Sequence, residues 1–342
     1  MPRIEQDALD VVLEVQQIAT APACSVAQRA EALLEPLHRL IPFVANWLAL
    51  LDPETREYTS LATGGYDERL RRRLEGPSVI SDVELVGLDR TRPAICVRDF
   101  PVPAQEVPTW ADYFWPAGFR EGVGVGLFTP DDRYLGMLGL QTDTTAHPTD
   151  EARDLIGLLA PMIAAGLDPT RTVGEVARAV RGAHGGGVVT RGGAVLPLTG
   201  LSDHPLLSPG SALLPVAARV VGGGSQYASF LCPYLDRGVL ALRRVTVLAC
   251  ADEPPHFLRA AIVVSDAGQR RGLTVIELEL LGMLLEEWLD GRVAAALGTS
   301  GRKLAGYIEC AATRLGAPNR SVALARALNQ GLYIPPGLGD PA

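Results

Sequence analysis

A pair of cations near the C-terminus carries the clearest chemistry in the sequence. Arg302 and Lys303 follow Ser300, whose hydroxyl can cap a helix. They are the only basic residues between positions 292 and 314, and Lys303 is the single lysine of the chain. Cations in the first turn of an exposed helix suit contacts with DNA phosphates and base edges. The pair is therefore a candidate contact for a phosphate-bearing partner.

Other patterns resemble catalytic or cofactor motifs but lack their context. Ser202, Asp203 and His204 have the residue types of a catalytic triad. Triads, however, assemble from distant segments of a chain, and no Gly-x-Ser-x-Gly accompanies these residues. The glycines at 122–126 lie within a predicted strand, and those at 185–187 lack the Gly-Lys-Ser/Thr of a phosphate loop. The five cysteines and five histidines have no metal-binding spacing. The sequence thus predicts no metal, no cofactor and no nucleophilic catalysis.

Composition favours a folded protein with two or three domains. Of its 342 residues, 47% are hydrophobic and 20% charged, with a net charge of -8. The longest nearly uninterrupted apolar run, at 155–167, is shorter than the roughly 20 residues that span a bilayer. The first ten residues carry acids and lack an apolar secretory core. We therefore expect a cytoplasmic protein without a membrane partner.

Residues 1–168 predict an α+β domain. An amphipathic helix near 9–18 and a helix capped by Ser25 precede a strand at 43–51 and its hairpin partner at 58–63. After a stretch interpreted as loops, strands at 118–128 and 134–141 lead to a helix that begins after Thr149. Valines and a leucine alternate with glycines along 122–127. The order predicts one antiparallel sheet with helices packed on one face.

Residues 169–268 predict a second, smaller α+β domain. It combines a glycine-rich hairpin from 184, a short helix at 211–221 and three strands at 227–231, 239–250 and 257–264. The polar stretch 265–272 is the next expected boundary.

Residues 269–334 predict four helices, and 335–342 a tail. Thr274 and Glu277 form a capping box for the first helix, and Ser300 caps the third. Asn319 or Ser321 caps the fourth. The apolar spacing predicts the inner faces of the last two helices: Leu304, Ile308, Ala311 and Leu315 in the third, and Val322, Ala325 and Leu328 in the fourth. A short turn at 298–300 makes the middle pair a helix-turn-helix.

Residues 273–332 resemble the C-terminal DNA-binding domain of LuxR-type regulators. The shared residues include Leu273-Thr274, the sequence VAAALG at 293–298, Arg314-Leu315-Gly316 and Asn319-Arg320-Ser321. In that family the third helix enters the major groove, and the fourth often supports dimerisation. The resemblance implies a recognition helix at 301–315 and a homodimer. It also implies a set of DNA-contacting residues: Ser300, Arg302, Lys303, Gly306, Tyr307 and Arg314.

The recognition helix departs from the family pattern. Lys303-Leu304-Ala305-Gly306-Tyr307 stands where a Thr-Val-Lys-Asn/Thr-His pattern is usual, so two polar positions are lost. Gly306 also costs the helix roughly 1 kcal/mol relative to alanine. Between 272 and 334 six basic residues are balanced by six acidic ones. Phosphate neutralisation supplies much of DNA affinity, so the module starts with few electrostatic contacts.

The N-terminal domain resembles a GAF sensor, and the middle domain is similar to a PAS-like module. The first similarity rests on the paired hairpins, on WADYFWPAGFREGVGVGLF at 110–128 and on the strand YLGMLGL at 134–140. It implies a small-molecule pocket on the sheet face. Aromatic side chains suit an apolar ligand. The predicted pocket residues are Trp47, Tyr66, Cys96, Trp110 and Phe114.

Two functions remain open. The favoured one is a dimeric transcriptional regulator whose GAF-like domain responds to a ligand or partner. The alternative is an enzyme of secondary metabolism derived from such a regulator, in which the helix-turn-helix no longer binds DNA. In that case Glu84 or Glu106 would act as general acid or base on an aromatic substrate in the pocket.

Overall fold

A computed structural model describes residues 2–21, 24–198, 200–222, 226–236 and 238–339. It contains two compact units, one of residues 1–169 with 253–257, the other of residues 170–252 with 258–342. Each has an antiparallel five-stranded sheet, which gives the chain its α+β class. The finer division at 168, 268 and 334 stays a prediction.

The first unit is a sheet flanked by helices. Its helices are α1 (Pro2–Thr20), α2 (Val26–Leu40), α3 (Glu68–Glu75), α4 (Val79–Val86) and α5 (Asp150–Leu167). The strands β1 (Ala45–Leu51), β2 (Tyr58–Gly64), β3 (Ile95–Cys96), β4 (Glu121–Phe128) and β5 (Tyr134–Thr142) lie in the order β2-β1-β5-β4-β3. Ser25 and Thr149 cap α2 and α5, as the sequence predicts. Helices α3 and α4 lie in the segment interpreted as loops.

The two faces of this sheet pack against different partners. On β4, Val123, Val125 and Leu127 are buried in a core shared with α1, α2 and α5. The intervening glycines face the other side, where α3, α4 and an irregular segment cover the sheet. This alternation follows from the two-residue period of a strand. Because the residues of β4 on the second face are glycines, the strand contributes little side-chain volume to that side of the sheet.

The second unit joins a sheet to four C-terminal helices. The sheet, in the order β7-β6-β10-β9-β8, contains β6 (Ala183–Thr190), β7 (Val195–Pro197), β8 (Tyr227–Asp236), β9 (Val239–Ala249) and β10 (Leu258–Asp266). Two helices accompany it: α6 (Pro169–Ala179), which the sequence does not predict, and α7 (Leu213–Gly222). The C-terminal helices are α8 (Val275–Leu285), α9 (Asp290–Ala296), α10 (Gly301–Arg314) and α11 (Arg320–Gln330).

One hydrophobic core serves both parts of this unit. It includes Phe230 and Val245 of the sheet together with Leu278 and Leu304 of the helices. The segment after α11 links them, since the Leu231 amide donates to the Tyr333 carbonyl. The core continues into the stretch assigned to a tail, where Leu338 is buried. The helical module is therefore packed on the sheet rather than tethered to it.

Candidate functional site

Helix α10 presents its first turn to solvent. The Ser300 hydroxyl accepts a hydrogen bond from the Lys303 amide at 3.4 Å and so caps the helix, as predicted. Leu304 is buried and anchors the helix to the core. Arg302, Lys303 and Gly306 are exposed, and Tyr307 is half-buried. The helix thus shows a cationic end on its outward face.

Most other cations of the module interact with protein groups. Arg320 pairs with Asp290 at 2.9 Å, and Arg326 donates to the Leu315 carbonyl at the same distance. The Arg292 guanidinium lies 3.6 Å above the centre of the Trp288 ring. Among the described residues, neither Arg302 nor Lys303 has an ion pair or side-chain hydrogen bond. These two side chains are therefore available to an external anion.

Arg314 is engaged by the protein itself. Its guanidinium pairs with Glu277, whose side chain is only 3% exposed. The same carboxylate accepts hydrogen bonds from the Thr274 amide and hydroxyl, both at 2.8 Å, in the predicted capping box. The structure therefore gives Arg314 a packing role between α10 and α8, where the family resemblance implies a DNA contact.

The middle of the outward face of α10 is nearly bare. A Cβ atom built on Gly306 meets no atom within 4 Å. Ala305 beside it is small and exposed, and Glu309 and Cys310 lie exposed one turn further on. Packing within the described chain therefore does not require a glycine at position 306. The bare surface would let a flat partner approach the helix backbone closely.

A cavity of about 60 Å³, here called the aromatic cavity, lies on the second face of the first sheet. Three of the predicted pocket residues, Trp47, Trp110 and Phe114, line it together with Met137. Trp110 and Phe114 belong to a π-helical turn at 110–114, and such turns are frequent at functional sites. Their rings pack edge to face at 4.9 Å between centroids. Apart from a few polar groups, the cavity wall is apolar.

Glycines on the sheet bring this cavity close to the backbone. Gly122, Gly124 and Gly139 all line it. A Cβ on Gly124 would lie 2.9 Å from Leu88 Cδ1, which is closer than real contacts allow. The glycine therefore permits Leu88 to lie against the strand.

The other two predicted pocket residues lie elsewhere. Tyr66 stands behind the wall, where its ring stacks on Phe114 at 5.9 Å and its hydroxyl donates to Gln141 Oε1. Cys96 is opposite Val123 in the strand ladder, and directly paired residues point to the same face. Its thiol is consequently buried in the helix-side core, and burial raises its pKa to about 11. Cys96 does not contact the aromatic cavity.

A buried carboxylate that sequence reasoning missed lies in the cavity wall. Asp82 is 6% exposed and accepts hydrogen bonds from Arg73 Nη2 at 2.6 Å and from the Thr109 amide at 2.9 Å. The Thr109 hydroxyl also donates to it. Asp82 and Glu84 are the two acids in the otherwise mostly apolar stretch VISDVELV, and of the two only Asp82 is buried. Its charge is compensated by Arg73, and its hydrogen bonds link α4 to Thr109.

The two glutamates of the enzyme hypothesis lie outside the aromatic cavity. Glu84 is half-exposed and pairs with Arg56 at 2.5 Å. Glu106 is exposed in a 3₁₀ turn. Among the described residues of the first unit, the buried glutamate is Glu121, whose carboxylate accepts a hydrogen bond from the Arg98 amide at 3.2 Å. Burial raises the pKa of Glu121, but its side chain does not line the aromatic cavity either.

Comparison with known proteins gives distant structural similarities. No family model and no curated protein matches the sequence. The GAF domain of a phosphoenolpyruvate-protein phosphotransferase from Coxiella burnetii is 19% identical, with 50% of this chain and 98% of that one covered and a TM-score of 0.40. VqmA of Vibrio cholerae, presented as a LuxR-type receptor, is 15% identical, with 48% of this chain and 92% of that one covered and a TM-score of 0.29. SdiA of Escherichia coli is 14% identical, with 96% of this chain and 98% of that one covered and a TM-score of 0.32.

Both kinds of protein that the sequence resembles, a GAF domain and a LuxR-type receptor, occur among these structures. The low identities and TM-scores assign no function to this chain. In the part of the chain that the structure describes, every helix is too short or too polar to cross a bilayer.

Proposed function

We propose that this chain is a ligand-responsive transcriptional regulator of the LuxR type, which binds DNA as a dimer through α10. The observation that carries the proposal is the exposed, capped first turn of α10, in which Arg302 and Lys303 lack partners among the described residues. Ligand sensing belongs to residues 1–168 and DNA contact to 269–334. Two copies of α10 would meet half-sites about one helical turn apart.

The charges of the module determine how it would bind. Arg314, Arg320 and Arg326 already interact with protein groups, so few cations remain for phosphates. Each phosphate contact contributes about 0.9 to the slope of log affinity against log salt. We therefore expect the DNA affinity of this protein to fall less steeply with salt concentration than is usual for DNA-binding proteins. Arg302 and Lys303 should account for much of that dependence.

The aromatic cavity is the proposed effector site. It is smaller than the ~150 Å³ apolar cavities that hold benzene, so a ligand must displace part of the wall. The wall that can yield is the irregular segment 97–114, which consists of short 3₁₀ and π-helical turns. Binding that displaces this segment would give the sensor two states of different shape, which a regulator requires.

A mobility-shift titration tests DNA binding. The probes are duplexes from upstream of the gene and its neighbours, at several salt concentrations. The Arg302→Ala/Lys303→Ala variant should lose most of the affinity, and its salt slope should fall by about two if both contact phosphates. Thermal unfolding should be nearly unchanged, because exposed substitutions usually cost within about 0.5 kcal/mol.

The matched control removes two cations elsewhere. Arg71→Ala/Arg72→Ala changes the net charge equally, on an exposed face of α3. It should leave DNA affinity as in the wild type. If the α10 variant folds normally and binds as tightly as this control, α10 does not carry DNA binding. Absence of binding by the wild type at low salt, with and without cell extract, refutes the proposal.

A further inference from the structure

A second cavity adjoins the aromatic cavity. It measures about 250 Å³ and is here called the tyrosine cavity, because Tyr58 and Tyr134 line it. Val83 of α4 lines both cavities. Val86 lines only the aromatic cavity, and Ile80 lines only the tyrosine cavity. Val83 therefore forms part of the wall that the two cavities share.

The sizes of the two cavities indicate one divided site. Small-molecule sites usually measure about 300–1,000 Å³. Neither cavity reaches that range alone, whereas the two joined come to its lower limit. Val83 is 4% exposed, and its side chain beyond Cβ consists of only two methyl groups. A small movement of one branched side chain would connect the cavities.

The two tyrosines provide a hydrogen-bond donor. Their hydroxyl oxygens lie 2.8 Å apart, so one donates to the other. The pair has two hydroxyl hydrogens and uses one of them in this bond. Burial raises the pKa of Tyr58 to about 12 and that of Tyr134 well above its usual value, so both stay protonated. The second hydrogen can bond to an acceptor on a ligand.

The charged groups around both cavities are already compensated. Arg56 pairs with Glu84 at 2.5 Å, and Asp89 pairs with Arg90 at 3.2 Å. Asp82, in the wall of the aromatic cavity, pairs with Arg73. A charged ligand would leave one charge without a counterion at a partly buried site, which is costly. The walls therefore suit an uncharged ligand.

We propose that the aromatic cavity and the tyrosine cavity are two chambers of one ligand site separated by Val83. The ligand is an uncharged molecule with a flat apolar end for the aromatic cavity. Its other end carries a hydrogen-bond-accepting oxygen for the tyrosine pair. This inference rests on the proposed ligand-responsive function, because it defines the effector of that same site.

Calorimetric titration of the full chain with two probes tests the inference. The probes are 4-phenyl-2-butanone, which has a ring and a ketone, and butylbenzene, which lacks the acceptor. Val83→Ala removes the two methyl groups between the cavities and should raise affinity for the ketone by about tenfold, since burying even one further ligand methylene in an apolar pocket is worth roughly 10–200-fold. Val86→Ala is the matched control, because it enlarges the aromatic cavity without opening the shared wall. It should have a much smaller effect.

The tyrosine pair is tested by Tyr58→Phe/Tyr134→Phe. A double variant is needed because either tyrosine alone keeps a hydroxyl hydrogen. The wild type should prefer the ketone over the hydrocarbon, and the double variant should lose that preference while still binding butylbenzene. Thermal unfolding of each variant verifies that it is folded at the titration temperature.

Three results would overturn the inference: equal gains in Val83→Ala and Val86→Ala, a ketone preference that survives in the double tyrosine variant, or no binding of either probe to any variant. The titrations contain no DNA, so their outcome is separate from the mobility-shift test of regulation. Ketone binding by the two-chamber site without any DNA binding would leave this site assignment intact and refute the regulator.

Discussion

Replacing Gly306 with alanine should change stability and DNA affinity in opposite directions. Gly306 lies in the interior of α10, and a Cβ there meets no atom within 4 Å. Alanine is about 1 kcal/mol better than glycine in a helix interior. Such a gain raises the ratio of folded to unfolded protein about fivefold. It corresponds to a melting temperature about 2–4 °C higher for a unit of this size.

The same methyl group should weaken DNA binding. It would lie on the outward face one turn beyond Arg302, where a helix in the major groove approaches base edges closely. An extra methyl in a well-packed contact costs roughly 1–3 kcal/mol. Fluorescence anisotropy with a labelled duplex measures the affinity, and urea unfolding measures the stability.

Gly174→Ala provides the control for this variant. Gly174 lies within α6, and its Cβ would make an ordinary contact of 3.7 Å with Leu198 Cδ2. It should stabilise the protein without altering DNA affinity. If Gly306→Ala is stabilised yet binds DNA as tightly as Gly174→Ala, position 306 does not face the DNA. If Gly306→Ala is destabilised instead, the space around the helix is not open.

Three further predictions concern buried and exposed groups. Mass spectrometry at pH 8 should find exposed Cys310 alkylated and protected by DNA, whereas Cys96, whose pKa is raised to about 11, stays unmodified until the protein unfolds. Arg314→Ala should lower the free energy of unfolding by about 1–3 kcal/mol in urea titrations, because it removes one partner of a buried carboxylate, Glu277, which keeps its hydrogen bonds from Thr274. Burial raises the pKa of Glu121 above its unfolded value, so this acid favours folding when protonated and costs stability as pH rises through the folded pKa. The melting temperature of Glu121→Gln relative to wild type should therefore rise between pH 4 and 7, and a constant difference would contradict this reasoning.

Local signals predicted the helical module well. The capping box at Thr274 and the cap at Ser300 depend on residues three positions apart, which a sequence displays directly. The predicted inner face of α11, with Ala325 and Leu328, was wrong. Ala323 and Ala327 are buried, whereas Ala325 and Leu328 are exposed. An alanine-rich helix offers several nearly equivalent apolar stripes, and the choice among them depends on neighbouring elements.

Which residues line the aromatic cavity depends more on strand pairing than on residue type. Trp47, Trp110 and Phe114 line it, so aromatic content was a useful guide. Cys96 was misplaced because its face is fixed by its pairing with Val123, which no local pattern reveals. Helices α3 and α4 were missed for a related reason. They are eight residues each, too short for periodicity to distinguish them from loops.

The shared core of the second unit constrains how a signal can reach the DNA-contacting helix. Arg244 of β9 donates to the carbonyl of Gln330 at 3.0 Å and to that of Ala267 at 3.1 Å. It thereby holds the C-terminal end of α11 against the sheet. The backbone bond from Leu231 to Tyr333 adds a second link. A change in the sheet would consequently move α11 and the helices packed on it as one body. Separating residues 269–334 from the sheet would expose part of the core, so DNA binding should be measured on the whole chain.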